Sequence, residues 1–147
     1  MTAWSEFAEG LTETLATLPA GAVVVIAEPG PLSEPVRFAQ FCWYDKGIHA
    51  ELSGGPLARV STDKTRIIAD AGWRSPGPDD DENWWTRLPW PAPSGDYRRL
   101  ASMIVTALRD AFGIANPCDL EYRAWNENFG NAPIELYLLG IPCNADN

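Results

Sequence analysis

Three short strand-like runs follow one another closely, and their spacing restricts the chain to antiparallel pairing. Ala22–Ala27 is a β-branched run stopped by Glu28-Pro29-Gly30-Pro31. Val36–Tyr44 is rich in aromatic and branched residues, and Asp45-Lys46-Gly47 supplies a hairpin turn. In the next run Ile48, Ala50 and Leu52 alternate with His49, Glu51 and Ser53, the period of a strand with one wet face. Gly54-Gly55-Pro56 ends it. Two tight connections in succession predict a meander.

Helical periods flank this meander. Trp4, Phe7, Ala8, Leu11, Leu15 and Leu18 recur at steps of three and four, with Thr2 placed to cap the helix and Pro19 and Gly21 to end it. Ser61 or Thr62 opens a short helix running to Ala71 with Ile67 and Ile68 inward, and Gly72 suits its C-terminal turn. The clearest helix is Gly95–Phe112, with Ser94 as N-cap, Leu100, Ile104, Leu108, Ala111 and Phe112 as its apolar stripe, and Gly113 as terminator. Between these helices lies a proline-rich stretch at 73–93. It carries four of the seven tryptophans (Trp73, Trp84, Trp85 and Trp90) and the acidic run Asp79-Asp80-Asp81-Glu82, and it reads as a loop. Asp119–Asn126 then alternates as a strand, with Leu120, Tyr122 and Ala124 on one side and Glu121, Arg123 and Trp125 on the other. Ile134–Leu139 is a further strand or a helical turn. The predicted order is α-β-β-β-α-α-β-β, a layered antiparallel α+β fold. At 147 residues, with no internal repeat or linker, the chain reads as one domain over 1–147.

Charge narrows the function classes. A formal net charge of −9, with no basic cluster longer than Arg98-Arg99, disfavours phosphate backbones and anionic membranes. No apolar stretch approaches the length of a membrane span, and the opening MTAWSEFAEG has neither a basic nor an apolar leader region. The cytoplasm is the expected compartment. Cys42, Cys118 and Cys143 have no metal-ligand spacing, and Cys42 reads as a small core hydrophobe. No metal and no cofactor is expected.

Catalysis has little to start from. His49 is the only histidine, with Glu51 on its strand and Asp45 across the turn. A hydrolase built on His49 and nearby carboxylates is one reading, and a solvent-facing strand residue is the simpler one. Asp79–Glu82 lacks the spacing of a calcium loop, since consecutive carboxylates point apart and repel. Phosphate-loop and nucleophile-elbow spacings are absent. The tryptophans carry three readings: a lid packed back on the sheet, anchors lining a groove for a bound peptide, or a carbohydrate platform. Trp73, Trp84, Trp85 and Trp90 are the candidate partner-binding residues.

Ile67-Ile68-Ala69-Asp70-Ala71-Gly72-Trp73-Arg74-Ser75-Pro76, then Asn83-Trp84, Trp90-Pro91, Ala101–Phe112 and Pro117-Cys118-Asp119-Leu120-Glu121-Tyr122-Arg123-Ala124-Trp125, resemble the actinobacterial TY-Chap domains. These are named for similarity to type III secretion chaperones and YbjN-like proteins. The likeness is strongest over residues 60–126. It implies a chaperone-type α+β fold with an N-terminal helix against a curved antiparallel sheet. It further implies a non-catalytic, cytoplasmic domain that binds a protein or peptide client, often as a homodimer. A structural or assembly subunit without a transient client is the alternative.

Overall fold

A computed structural model describes residues 3–29, 37–44, 47–54, 61–76, 83–89 and 91–143. Six strands form one sheet: β1 (Ala22–Ala27), β2 (Phe38–Tyr44), β3 (Gly47–Leu52), β4 (Trp84–Pro89), β5 (Glu121–Asn126) and β6 (Ala132–Pro133). Their spatial order is β4-β3-β2-β1-β5-β6, and every ladder is antiparallel. Three α-helices accompany them: α1 (Trp4–Ala16), α2 (Thr62–Ala71) and α3 (Ser94–Thr106). The α+β class and the antiparallel meander read from the sequence are present.

The core lies on one face of the sheet. Phe7, Leu11 and Leu15 of α1 and Leu100, Ile104 and Leu108 of the α3 region meet Ala22, Val24 and Ile26 of β1 in one cluster. Ala39 and Phe41 of β2, Ile48, Ala50 and Leu52 of β3, Trp84 of β4, and Tyr122 and Ala124 of β5 join it. These strand residues obey the period of two, so the sheet turns a single face to the helices. The remaining residues of β1, Val23, Val25 and Ala27, are also buried but point the other way. Both faces of β1 are covered, which is why it reads as an unbroken apolar run and not as an alternation.

Several elements differ from the sequence reading. The stretch at 73–93 contains a strand, β4, so the order is α-β-β-β-α-β-α-β-β. Its apolar period is Trp84, Thr86 and Leu88, and Pro89 is tolerated because β4 lies toward the sheet edge. Ile134–Leu139 is not a strand. Its Tyr137–Leu139 portion is a 3₁₀ turn, and the last strand is the two-residue β6. The long helix starts at Ser94 itself, with Pro93 in the N-cap position. It changes to π-helix over Ala107–Ala111 before Phe112. Gly113, at a φ of 74°, ends it as expected. The freed carbonyls at this end find cations, Lys64 Nζ donating to Asp110 O at 2.8 Å and Arg37 Nη1 to Phe112 O at 3.0 Å. Ser61 caps α2 by accepting from the Lys64 N–H at 3.3 Å, and Gly72 closes α2 at a φ of 117°. In α1 the N-cap is Ala3, without a side-chain bond, and Thr2 lies outside the described residues.

The chain beyond β5 folds back over that strand's outer side. Ile134 N–H donates to Ala124 O at 3.0 Å and Tyr122 N–H to Pro142 O at 2.9 Å. The Tyr122 hydroxyl accepts from Leu136 N–H at 2.7 Å. The following 3₁₀ turn presses on α1, where a Cβ on Gly10 would collide with the Leu138 carbonyl oxygen. Glycine in mid-helix costs about 1 kcal/mol against alanine, so Gly10 is present for this close approach. Gly10→Ala is expected to lower stability by about 1–3 kcal/mol despite its better helix propensity. Gly95→Ala, which meets nothing within 4 Å, is expected to be neutral or stabilising. Urea denaturation of the two variants checks this, and a stabilised Gly10→Ala chain would refute the packing.

Candidate functional site

The face of the sheet turned away from the core is built of two straight rows, fixed by the strand registers. One row runs Arg74, Trp85, Glu51, Gln40, Val25, Arg123. The next runs Arg87, His49, Cys42, Val23, Trp125, Pro133. Residues directly opposite on antiparallel strands have Cβ atoms about 4.5–5.5 Å apart, so each row is a continuous ridge of side chains. The buried apolar residues of all three α-helices belong to the cluster on the other face. On this face Val23 and Val25 are only 4% and 9% exposed, while Gln40, Cys42, His49, Glu51, Trp85, Arg123 and Trp125 are half-buried.

Each end of the face carries a tryptophan with arginine on it. The Arg74 and Arg87 guanidinium carbons lie 4.8 Å and 5.5 Å from the Trp85 ring centroid. His49 is stacked on the same indole at 6.2 Å, with 23° between the planes. At the far end Arg123 lies 4.8 Å from the Trp125 centroid. These contacts hold rings and cations in fixed positions without burying them. Backbone pairing adds to this at Trp85, whose N–H and C=O both bond Arg74, at 3.1 Å and 2.9 Å.

The structure separates the four candidate tryptophans. Trp73 is 4% exposed, and its indole N–H donates to Met103 O at 3.1 Å, tying the chain after α2 to α3. Trp84, 8% exposed, points into the core from β4. Trp85, its neighbour, points to the opposite face because successive strand residues alternate. Trp90 and the acidic run Asp79–Glu82 lie outside the described residues. Trp125 was not among the candidates, yet it shares the face of Trp85. Its alternation with Tyr122 and Ala124 already placed it with Glu121 and Arg123, away from the core.

Cys42 is a correction: it is half-buried on the face opposite the core, across the ladder from His49. A thiol beside an imidazole is the layout of a nucleophile and its base. Here burial pushes the thiol pKa above its ordinary value. The Glu51 and Glu127 carboxylates push it further, and a hydrogen bond with the His49 backbone opposes them. The thiol is thus held protonated, the reverse of an activated cysteine. His49 is occupied on both sides. Arg87 Nε donates to its Nδ1 at 3.3 Å, and its Nε2 faces Glu51 Oε1 at 3.6 Å. Asp45 lies outside the described residues. Among the described residues, no group of three His, Cys, Asp or Glu side chains is placed to hold a metal ion, and no helix is long and apolar enough to cross a membrane.

Two concavities lie beside α3. An open groove of about 630 Å³ runs between α2 and α3, with Ile67, Ala71 and Met103 as apolar lining and Asp70, Arg98 and Arg99 among its polar residues. A smaller one, of about 210 Å³, lies where β4 meets α3 and shares Arg99 and Met103 with it.

A six-stranded antiparallel sheet packed under helices on one face, with paired aromatic and cationic side chains on the other, defines a small α+β domain. The chain belongs to the TY-Chap3 family, described as T3SS (YopN, CesT) and YbjN peptide-binding chaperone 3, which it matches over residues 1–126. The match ends with the last residue of β5. No curated protein and no solved structure matches the chain.

The two adjacent tryptophans of β4 are expected to behave differently. Trp84→Ala empties a core position and should cost about 3–5 kcal/mol. Trp85→Ala removes surface stacking and should cost about 1 kcal/mol. Urea midpoints of the two variants measure this. Equal losses would contradict the assignment of the two rings to opposite faces.

Proposed function

We propose that this domain binds an extended peptide or protein segment, without catalysis, on the sheet face opposite its helices. The observation that carries the proposal is the arrangement of Trp85 and Trp125 at the two ends of one face, with Val23, Val25, Gln40 and Cys42 between them. Partly exposed aromatic anchors supply contact area on which peptide recognition depends, while Val23 and Val25 are buried and support the face from beneath. Membership of a peptide-binding chaperone family supports the same reading. Of the four tryptophans singled out in the sequence, the proposal keeps Trp85 as the anchor and assigns Trp73 and Trp84 to holding the strand that presents it.

The hydrolase reading is the weaker one, because His49 is flanked by Arg87 and Glu51 and the neighbouring thiol is kept protonated. Three free cysteines are in keeping with a reducing compartment, and we assign the domain to the cytoplasm. Nucleic acid and membrane surfaces are disfavoured partners for a chain of net charge −9.

The test starts from peptides selected from a random display library, synthesised with a fluorophore and titrated by anisotropy. The Trp85→Ala/Trp125→Ala double variant is expected to bind at least about tenfold more weakly, since aromatic hot spots contribute about 2 kcal/mol or more. Unchanged affinity in a folded double variant would contradict the proposal. If Met103→Ala or Ala71→Glu abolished binding in its place, the groove between α2 and α3 would be the site.

A further inference from the structure

The charge of the chain is unevenly placed. All 11 lysines and arginines lie between Arg37 and Arg123, so residues 1–36 and 124–147 carry eight carboxylates and no cationic side chain. Nearly all of the formal net charge of −9 therefore belongs to the two terminal segments. Folding brings these segments together: β1 pairs with β5, and the Tyr137–Leu139 turn docks on α1 at Gly10.

The same region holds the most exposed large apolar side chains among the described residues. Tyr137 is 81% exposed, Phe129 72% and Leu138 54%. Tyr137 and Leu138 are adjacent on the turn, and the Tyr137 hydroxyl donates to the Glu135 carboxylate, which restrains the ring at the surface. On α1, Glu6 and Glu13 lie one turn to either side of Gly10 along a single stripe, because residues three and four apart are neighbours on a helix. The turn is thus seated between two exposed carboxylates. Neither of these side chains, nor that of Glu9, makes a hydrogen bond or ion pair with a described residue. An exposed apolar pair with a polar rim has the make-up of an interaction surface.

We propose that Tyr137 and Leu138 dock a basic, amphipathic protein segment. Its apolar side chains cover these two, and its lysines or arginines meet Glu6, Glu13 and Glu135. This surface lies with α1 on the helix side of the sheet and is separate from the face of Trp85 and Trp125. Charge chooses the occupant. A second copy docked by two-fold symmetry would set one acidic rim against another. A basic segment meets the opposite sign at the rim and is drawn in by the field of the whole domain. Glu6 and Glu13 are separated by about 10 Å along the helix axis. About three extended residues cover that span, so one or two apolar residues between basic ones fit it.

Three fluorescent peptides test this, each with the same central Leu-Leu pair flanked on both sides by Lys, Ser or Asp pairs. They are titrated by anisotropy against the full chain at physiological salt, and the chain alone is sedimented. The Lys-flanked peptide is expected to bind at least about tenfold more tightly than the Asp-flanked one, with Ser between. Glu6→Lys/Glu13→Lys is expected to narrow the Lys-to-Asp ratio at least about threefold while the Ser-flanked peptide binds as before, which loss of folding cannot do. Tyr137→Ser/Leu138→Ser is expected to weaken the Lys-flanked peptide at least about tenfold, and Trp85→Ala/Trp125→Ala to leave it unchanged. Equal affinity for the Lys and Asp peptides would overturn the inference. Binding lost in Trp85→Ala/Trp125→Ala but kept in Tyr137→Ser/Leu138→Ser would also overturn it, and would leave the sheet face standing as the peptide site. Absence of binding by all three peptides would overturn this surface alone, since the sheet face is tested with its own selected peptides. A dimer of the chain alone that Tyr137→Ser/Leu138→Ser dissociates would assign the patch to a second copy and overturn the inference as well.

Discussion

The antiparallel pairing of Ala22–Ala27 with Glu121–Asn126 is the contact on which the rest of the structure depends. It joins the two ends of the sequence, and its closure entropy must be offset before the intervening elements have a sheet to pack on. β1 meets this demand with six buried residues. Ala22, Val24 and Ile26 supply the floor under α1 and α3. Val23 and Val25 supply the middle of the opposite face. With β1 fixed between β2 and β5, the registers place β3 and β4 on one side and β6 on the other.

The same pairing explains why the helices are gathered on one face of the sheet and the rows of Trp85 and Trp125 lie on the other. Helices α1 and α3 pack against each other and bury their apolar stripes on a single side of the sheet. The other side keeps its order through side chains that touch along the rows: a stacked histidine and indole, three arginines on two indoles, and a hydrogen bond from Arg87 to His49. Such contacts contribute little to folding individually, but they fix the positions of rings and charges in advance. A ligand meeting a preorganised surface loses less entropy on binding than one that must order it.

Much of this was legible in the sequence, for reasons that vary by element. β1 to β3 and β5 were readable from tight turns and period-two alternation, and α1 and α2 from period and end signals. β4 was hidden because its six residues lie between an acidic run and prolines, and because two adjacent tryptophans look alike until the strand period sends them to opposite faces. Ile134–Leu139, open in the sequence between a strand and a helical turn, contains a 3₁₀ turn at Tyr137–Leu139, and Gly10 lets that turn approach α1 closely, a long-range contact that no local pattern encodes. The π-turn at Ala107–Ala111 was not legible either, and the carbonyls at this end of the helix are met by side chains from elsewhere, Lys64 and Arg37. For the candidate site, composition pointed to tryptophans as a class. Burial against α3 set Trp73 apart, the strand period separated Trp84 from Trp85, and the register brought Trp125 to the surface of Trp85.

The central claim is that ligand meets the sheet face bearing Trp85 and Trp125 and leaves the core rings undisturbed. Seven tryptophans give seven indole N–H signals in a nitrogen-15 correlation spectrum, each assignable by single substitution to phenylalanine. Titration with a bound peptide reads the claim directly. The account predicts that the Trp85 and Trp125 indole signals shift in proportion to occupancy while those of Trp73 and Trp84 stay in place. Shifts confined to Trp73, whose indole is bonded to Met103 beside the groove between α2 and α3, with Trp85 and Trp125 unmoved, would contradict it.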